Sequence, residues 1–162
     1  MRVDCAGRRR QIVGAAPAAD GQSRLYVLTG NAGFDVTSTT PPNDDYGDSL
    51  LELSLGLKVL QYFTPSDQQS DQIYNNDFGS GGAAVLAAWP AGSPVTHLVI
   101  GGGKDGNLYV LNRDAPGGYG DTNAWQVLSV GTEGDINADT PGVIFTPGAI
   151  WNVVGFGGIT PP

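Results

Sequence analysis

The sequence predicts an all-β chain, built as small antiparallel sheets stacked face to face. Three observations carry this. Gly (25) and Pro (11) punctuate the 162 residues heavily, which suits short strands joined by turns. No stretch sustains a 3.6-residue apolar period, so almost no helix is expected. Several strand-like runs are apolar on successive positions, as in Leu98-Val99-Ile100 and Tyr109-Val110-Leu111. Successive strand side chains point to opposite faces, so such strands require burial on both. A simple two-sheet sandwich would favour apolar-polar alternation, whereas stacked propeller-type blades cover both faces.

The elements follow in order. Arg24-Leu25-Tyr26-Val27-Leu28-Thr29 is rich in β-formers. Ser49-Leu50-Leu51-Glu52-Leu53-Ser54 and Val59-Leu60-Gln61-Tyr62-Phe63 flank the turn region Leu55-Gly56-Leu57-Lys58. Ala83 to Trp89 reads as a strand halted by Pro90. His97-Leu98-Val99-Ile100 and Asn107 to Leu111 form the clearest hairpin, through a connection containing Asp105-Gly106, a pair favoured in type I′ turns. Trp125 to Val130 and Gly142 to Phe145 follow as later strands.

These elements repeat. A small-residue strand, a strand ending in a Gly-rich turn, its hairpin partner and an outer strand run from Ala15 to Pro65, then from Gly81 to Val130. A third copy starts at Gly142. The inner strands near Pro17, Ala83 and Phe145 recur at intervals of about 66 and 62 residues. The first copy carries an insertion, Gly33 to Asp48. The predicted organisation is an irregular segment over 1–14, then a partial propeller over 15–162 with blades at 15–65 and 81–130 and the start of another at 142–162.

Charge and composition exclude several classes. Net charge is −8, and four of the eight basic residues (Arg2, Arg8, Arg9, Arg10) lie in the first ten positions. The acidic remainder repels phosphate backbones, so nucleic acid is not an expected partner. No window of 18 apolar residues exists, and no membrane span is expected. Cys5 is the only cysteine, so neither an internal disulfide nor a cysteine-based zinc site can form. The Arg8-Arg9-Arg10 run and the short apolar stretch after it fall short of an export signal.

Beyond these features the residues resemble a known family. Leu25-Tyr26-Val27-Leu28-Thr29-Gly30-Asn31-Ala32-Gly33-Phe34-Asp35 is similar to the YxxTGNGxFD strand of bacterial pyrroloquinoline-quinone (PQQ) repeat propellers. Tyr46-Gly47-Asp48-Ser49-Leu50-Leu51-Glu52-Leu53 resembles their YGDSxLKL hairpin strand, and Tyr62-Phe63-Thr64-Pro65 the outer strand after it. Asp77-Phe78-Gly79-Ser80-Gly81-Gly82 resembles the DLGSGG lead-in to the next blade. Gly102 to Asp114 resembles GGKDGxLYLLNRD. The ordered set spans about residues 15 to 155.

The resemblance implies a quinoprotein-like propeller with more blades than this chain supplies. Two copies cannot close a ring, and their end faces would leave apolar surface uncovered. The expectation is therefore a fragment of an exported (periplasmic or secreted) protein. Its partners would be the remaining blades or a second copy of itself. The family also implies PQQ and calcium at the ring centre of a full-length parent, held by residues of several blades, with an alcohol or sugar as substrate. No residue here matches the family's catalytic aspartate. The Ala-x-Asp-x-x-Thr-Gly-x-x-x-Trp docking pattern of the dehydrogenases is absent, and the nearest stretch, Glu52 to Phe63, lacks its Asp, Thr and Trp.

Each candidate site residue carries two readings. Asp44, Asp45 and Asp48 offer oxygen ligands for calcium, or belong to a solvated polar insertion in which Asp48 braces a turn. Asp77 and Ser80 face a ligand near the propeller channel, or satisfy a tight Gly turn. Asn31 lines the channel, or takes a left-handed turn. Lys104 contacts a cofactor, or is a solvated hairpin-tip lysine. His97, the single histidine, begins a strand, and sequence shows no partner for a base role. Trp89, Trp125 and Trp151 pack between blades, or form a sugar platform. The catalytic residues are unassigned. The first functional expectation is a binding or scaffold unit that is not a complete catalyst alone. The rival is part of a PQQ-dependent dehydrogenase.

Overall fold

The computed structural model describes residues 16–38, 44–88 and 92–130. The expectations for Cys5, Trp89, Trp151, the 1–14 segment and the 142–162 copy lie outside these residues. Within them the chain is mostly β with one helix, and the all-β expectation holds.

The first sheet contains β1 (Ala18–Ala19), β2 (Arg24–Leu28), β3 (Leu50–Ser54) and β4 (Val59–Thr64), paired antiparallel in chain order. The second contains β5 (Ala83–Val85), β6 (Leu98–Gly102), β7 (Asn107–Asn112) and β9 (Gln126–Ser129), again an antiparallel meander. Between β7 and β9 runs β8 (Gly118–Tyr119), which leaves its own sheet and pairs parallel with β4, making the first sheet five-stranded.

Two departures from the sequence reading have clear causes. Helix α1 (Gln68–Tyr74) fills the link between the sheets. Its buried residues are polar, Gln68 and Asp71, while Ile73 and Tyr74 are exposed. The apolar stripe that announces a helix is therefore missing. It ends at Asn75, whose φ of 61° is the left-handed cap conformation. The second departure is the β6–β7 turn. Of Asp105 and Gly106 only Gly106 has positive φ (77°), so the pair does not form a type I′ turn. The Gly106 N–H donates to the Gly103 carbonyl (3.4 Å), with the left-handed glycine closing the loop after the turn.

The two sheets share one core. Tyr26, Leu28, Leu50 and Phe63 of the first pack with Phe78, Ala83, Val99, Tyr109 and Leu111 of the second. Phe78, in a single 3-10 turn (Phe78–Ser80) just before β5, sits between the others. Its ring centroid is 5.2 Å from that of Tyr109 and 6.4 Å from that of Phe63, both edge-on. The close approach has a visible requirement at Gly101, where a Cβ would stand 3.1 Å from both Leu28 methyl carbons.

The opposite faces are apolar too, as the unalternating strands required. In the first sheet Val27 and Leu51 are buried there. The described ends of the 33–48 insertion meet beside Tyr62, with Phe34 bridged to Tyr46 and the Tyr46 ring 5.4 Å from that of Tyr62. In the second sheet Ala84 and Leu98 are buried, Ile100, Leu108 and Val110 are half-buried, and Leu128 is exposed.

Candidate functional site

Loops of both sheets gather at one end of the seam. The β2–β3 insertion leaves from Thr29, the β6–β7 turn sits beside it, and the lead-in to β5 passes between them. This geometry brings together Asn31, Asp77, Ser80 and Lys104, the four residues named from sequence as ligand-facing.

Asp77 is the hub. Its Oδ1 accepts the Asn31 N–H (2.8 Å) and its Oδ2 accepts the Lys104 ammonium. Its carbonyl accepts the N–H groups of Lys104 (3.1 Å) and Ser80 (3.3 Å). Lys104 Nζ also donates to the Asn75 carbonyl (3.3 Å). Asn31 Nδ2 donates to the Gln72 carbonyl and to Asn75 Oδ1, each at 3.2 Å, tying helix α1 to the first sheet.

Two of the sequence alternatives are corrected by this arrangement, and a third is extended. Lys104 is not a solvated hairpin-tip lysine, because its residue is 9% exposed and its charge is paired. Asn31 does not have positive φ and so takes no left-handed turn. Asp77 does serve a Gly-rich turn through its backbone, but its carboxylate reaches 46 residues back to Asn31 and 27 forward to Lys104.

Behind this knot lie two further carboxyls. Asp48 is fully buried, and its Oδ1 accepts the Phe78 N–H (3.3 Å) while its Oδ2 has no hydrogen-bond partner. Burial pushes its pKa up to about 7, and the nearby charges of Asp77 and Asp105 add to the rise. Asp105 is 2% exposed. Tyr109 and Asn107 lean toward its carboxylate, but neither meets hydrogen-bond geometry. Burial, with Asp67 nearby, raises its pKa to about 6. The same burial raises that of the Tyr109 hydroxyl.

The calcium candidates do not converge. Asp48 points into the seam while Asp44 is exposed. Asp45 closes the insertion by a two-way pairing with Asp35, through Asp45 N to Asp35 Oδ1 (2.9 Å) and Asp35 N to the Asp45 carbonyl (3.1 Å). Among the described residues no group of three or more His, Cys, Asp or Glu is placed to hold a metal ion. The Lys104 ammonium already has two acceptors. These residues therefore do not by themselves fit PQQ or calcium, and no chemical step is assigned through either.

A second polar cluster lies at the other end of the strands, and of its residues only His97 was weighed from sequence. Glu52, 1% exposed, faces the core; Arg24 Nη1 donates to its Oε1 (2.8 Å) and Gln61 Nε2 to its Oε2 (3.0 Å). Asp20 Oδ2 lies 3.2 Å from Arg24 Nε and 3.7 Å from Arg113 Nε. Burial works to raise the Asp20 pKa, but the N–H groups of Arg24 and Gln22, the Tyr26 hydroxyl and the Arg113 charge together hold it below its ordinary value. His97 precedes β6, and its Nδ1 lies 2.7 Å from Asp114 Oδ2. The lone glutamate in Leu50-Leu51-Glu52-Leu53 was the available signal, since a carboxylate in a doubly buried strand requires a donor.

Chemically, the Asp77–Lys104 knot is a clamp, and Asp48 and Asp105 are carboxyls buried behind it. No protein family, curated protein or solved structure matches the chain.

Proposed function

We propose that this chain is part of a quinoprotein-like β-propeller, exported in its full form, and that it acts as a binding or scaffold unit. One observation carries the reading. Two successive antiparallel meanders share a single core, and each also has an apolar opposite face. Repeating units that bury each other's faces are the economy of such folds. The ordered PQQ-repeat motifs support the same reading. Gly79 and Gly103 of those motifs stand where the seam leaves no room for a side chain. A Cβ would lie 2.6 Å from the Thr29 carbonyl oxygen at Gly79 and 2.2 Å from that of Asp77 at Gly103.

A scaffold role is preferred over a dehydrogenase role because the polar groups at the loop end bind one another. Any PQQ and calcium, and an alcohol or sugar substrate, belong to the longer protein. Two measurements test the proposal. Light scattering on the full chain is expected to show concentration-dependent association, weakened by Leu128→Lys on the open face. A sharp monomer with cooperative melting would sink the stacked-unit reading. PQQ titration of the longer protein, followed by absorbance with and without Ca²⁺, is expected to show no tight uptake. Calcium-dependent uptake with dye reduction would establish the dehydrogenase instead.

A further inference from the structure

The two sheets meet in one orientation, and that orientation fixes what kind of surface each leaves free. β5, the first strand of the second sheet, lies against β1 and β2 of the first. The turns after β2 and β6 sit at the same end of the seam, where Asn31 and Lys104 both bond to Asp77. First strand therefore lies on first strand, and β2 and β6 run the same way. The sheets are related by a displacement of one meander onto the next. A two-fold rotation would have reversed either the strand order or the strand direction. The seam thus joins unlike faces. The face of the first sheet that carries Tyr26, Leu28, Leu50 and Phe63 meets the face of the second that carries Ala83, Val99, Tyr109 and Leu111.

The faces left over are the complements of those two. On the first sheet Ala19 stands opposite Leu25 and Leu25 opposite Leu53, beside the facing pair Val27 and Leu51. All of them are apolar; Ala19 is exposed, and Leu25 and Leu53 are half-buried. On the second sheet Ile100 stands opposite Val110, and Leu108 opposite Leu128. Ile100, Leu108 and Val110 are half-buried, and Leu128 is 39% exposed. The free face of the first sheet is of the kind that the second sheet buries in the seam. The free face of the second is of the kind that the first buries.

We infer that copies of this chain associate head to tail. The face of one copy with Ile100, Leu108, Val110 and Leu128 docks on the face of the next with Ala19, Leu25 and Leu53, in the relation that the seam already makes within the chain. The inference rests on the stacked-unit reading and names which surfaces meet. Such a contact is heterologous, because it uses two different patches, and it repeats until a ring closes or a filament grows. An isologous dimer, with the Leu128 face on itself, would place the sheets in a relation unlike that of the seam.

Two variants of the full chain test this by size-exclusion chromatography with light scattering. Leu128→Lys puts a charge on the free face of the second sheet, and Leu25→Lys puts one on that of the first. Each alone should associate at least about tenfold more weakly than the wild type, since docking would bury an unpaired charge. Mixed in equal amounts, they should form a dimer with one copy of each, because each supplies the face that the other has lost. Circular dichroism checks folding. If Leu25→Lys does not fold, Ala19→Lys, at an exposed position of the same face, replaces it. The inference is overturned if either variant alone associates like the wild type, which marks a like-on-like dimer, or if the mixture stays monomeric. In both cases an associating wild type leaves the stacked-unit reading standing. A monomeric wild type removes both.

Discussion

Lys104 and Asp77 meet at the seam between the two sheets, 27 residues apart in sequence, with side chains only 11% and 9% exposed. A pair this buried is held by geometry and by supplementary hydrogen bonds rather than by Coulomb attraction alone. Asn31 and Asn75 provide those bonds.

Removing one partner should therefore cost much more than removing both. Lys104→Met is expected to lower stability by about 3–5 kcal/mol, because Asp77 is left charged and buried. The double variant Lys104→Met/Asp77→Asn should recover most of that loss. Urea unfolding of the two variants checks it, and a single variant that unfolds like the wild type would show that the clamp does not bear on the seam.

Gly103→Ala should destabilise by about 2 kcal/mol or more, since overpacking against backbone has no side chain to yield. Its Cβ would lie 2.2 Å from the Asp77 carbonyl oxygen and 2.5 Å from Phe78 Cα. Gly21→Ala is the control, because nothing lies within 4 Å of a Cβ there. Equal melting temperatures for the two variants would contradict the tight seam.

Stability should fall as pH rises through neutrality. Asp48 and Asp105 have folded-state pKa values of about 7 and about 6, above the ordinary 3.8. The folded state thus binds their protons more tightly than the unfolded state. That contribution is fully present below the ordinary value and is lost as pH rises through 6 to 7. Asp48→Asn should remove much of the slope and raise stability at pH near 8 by about 2–4 kcal/mol. Thermal melts from about pH 4 to pH 8 decide it, and a flat profile for the wild type would refute the assignment.

The pairing of β8 with β4 should loosen locally. Asp121→Ala removes two acceptor bonds to Ser66 at an exposed site, at a cost of about 1 kcal/mol. Exchange of the Gly120 amide should accelerate while that of Val99, in the core, stays unchanged. Uniform acceleration across both sheets would mean that β8 belongs to the global core instead.

Much of the architecture was legible in local residue order. Leu98-Val99-Ile100 and Tyr109-Val110-Leu111 announced burial on two faces; Val99, Tyr109 and Leu111 are buried in the core, while on the opposite face Leu98 is buried and Ile100 and Val110 are half-buried. Helix α1 was not legible, because it buries Gln68 and Asp71 in place of an apolar stripe. Nor was β8, whose Gly118–Tyr119 pair has no strand signal and pairs only because β4 offers an edge. The four loop-end residues were singled out from their motifs. Their mutual closure, and the separation of Asp48 from Asp44, depended on which loops the fold brings into contact.

By itself, then, the sequence determined what acts over a few residues: strand identity, hairpin order, and the need for two covered faces, since propensity and side-chain alternation are local properties. Only the tertiary structure decided which charges meet. Lys104 with Asp77, Arg24 with Glu52 and His97 with Asp114 are pairings across strands and loops. Their energies depend on distance and burial, and both are set when the two sheets close on a common core.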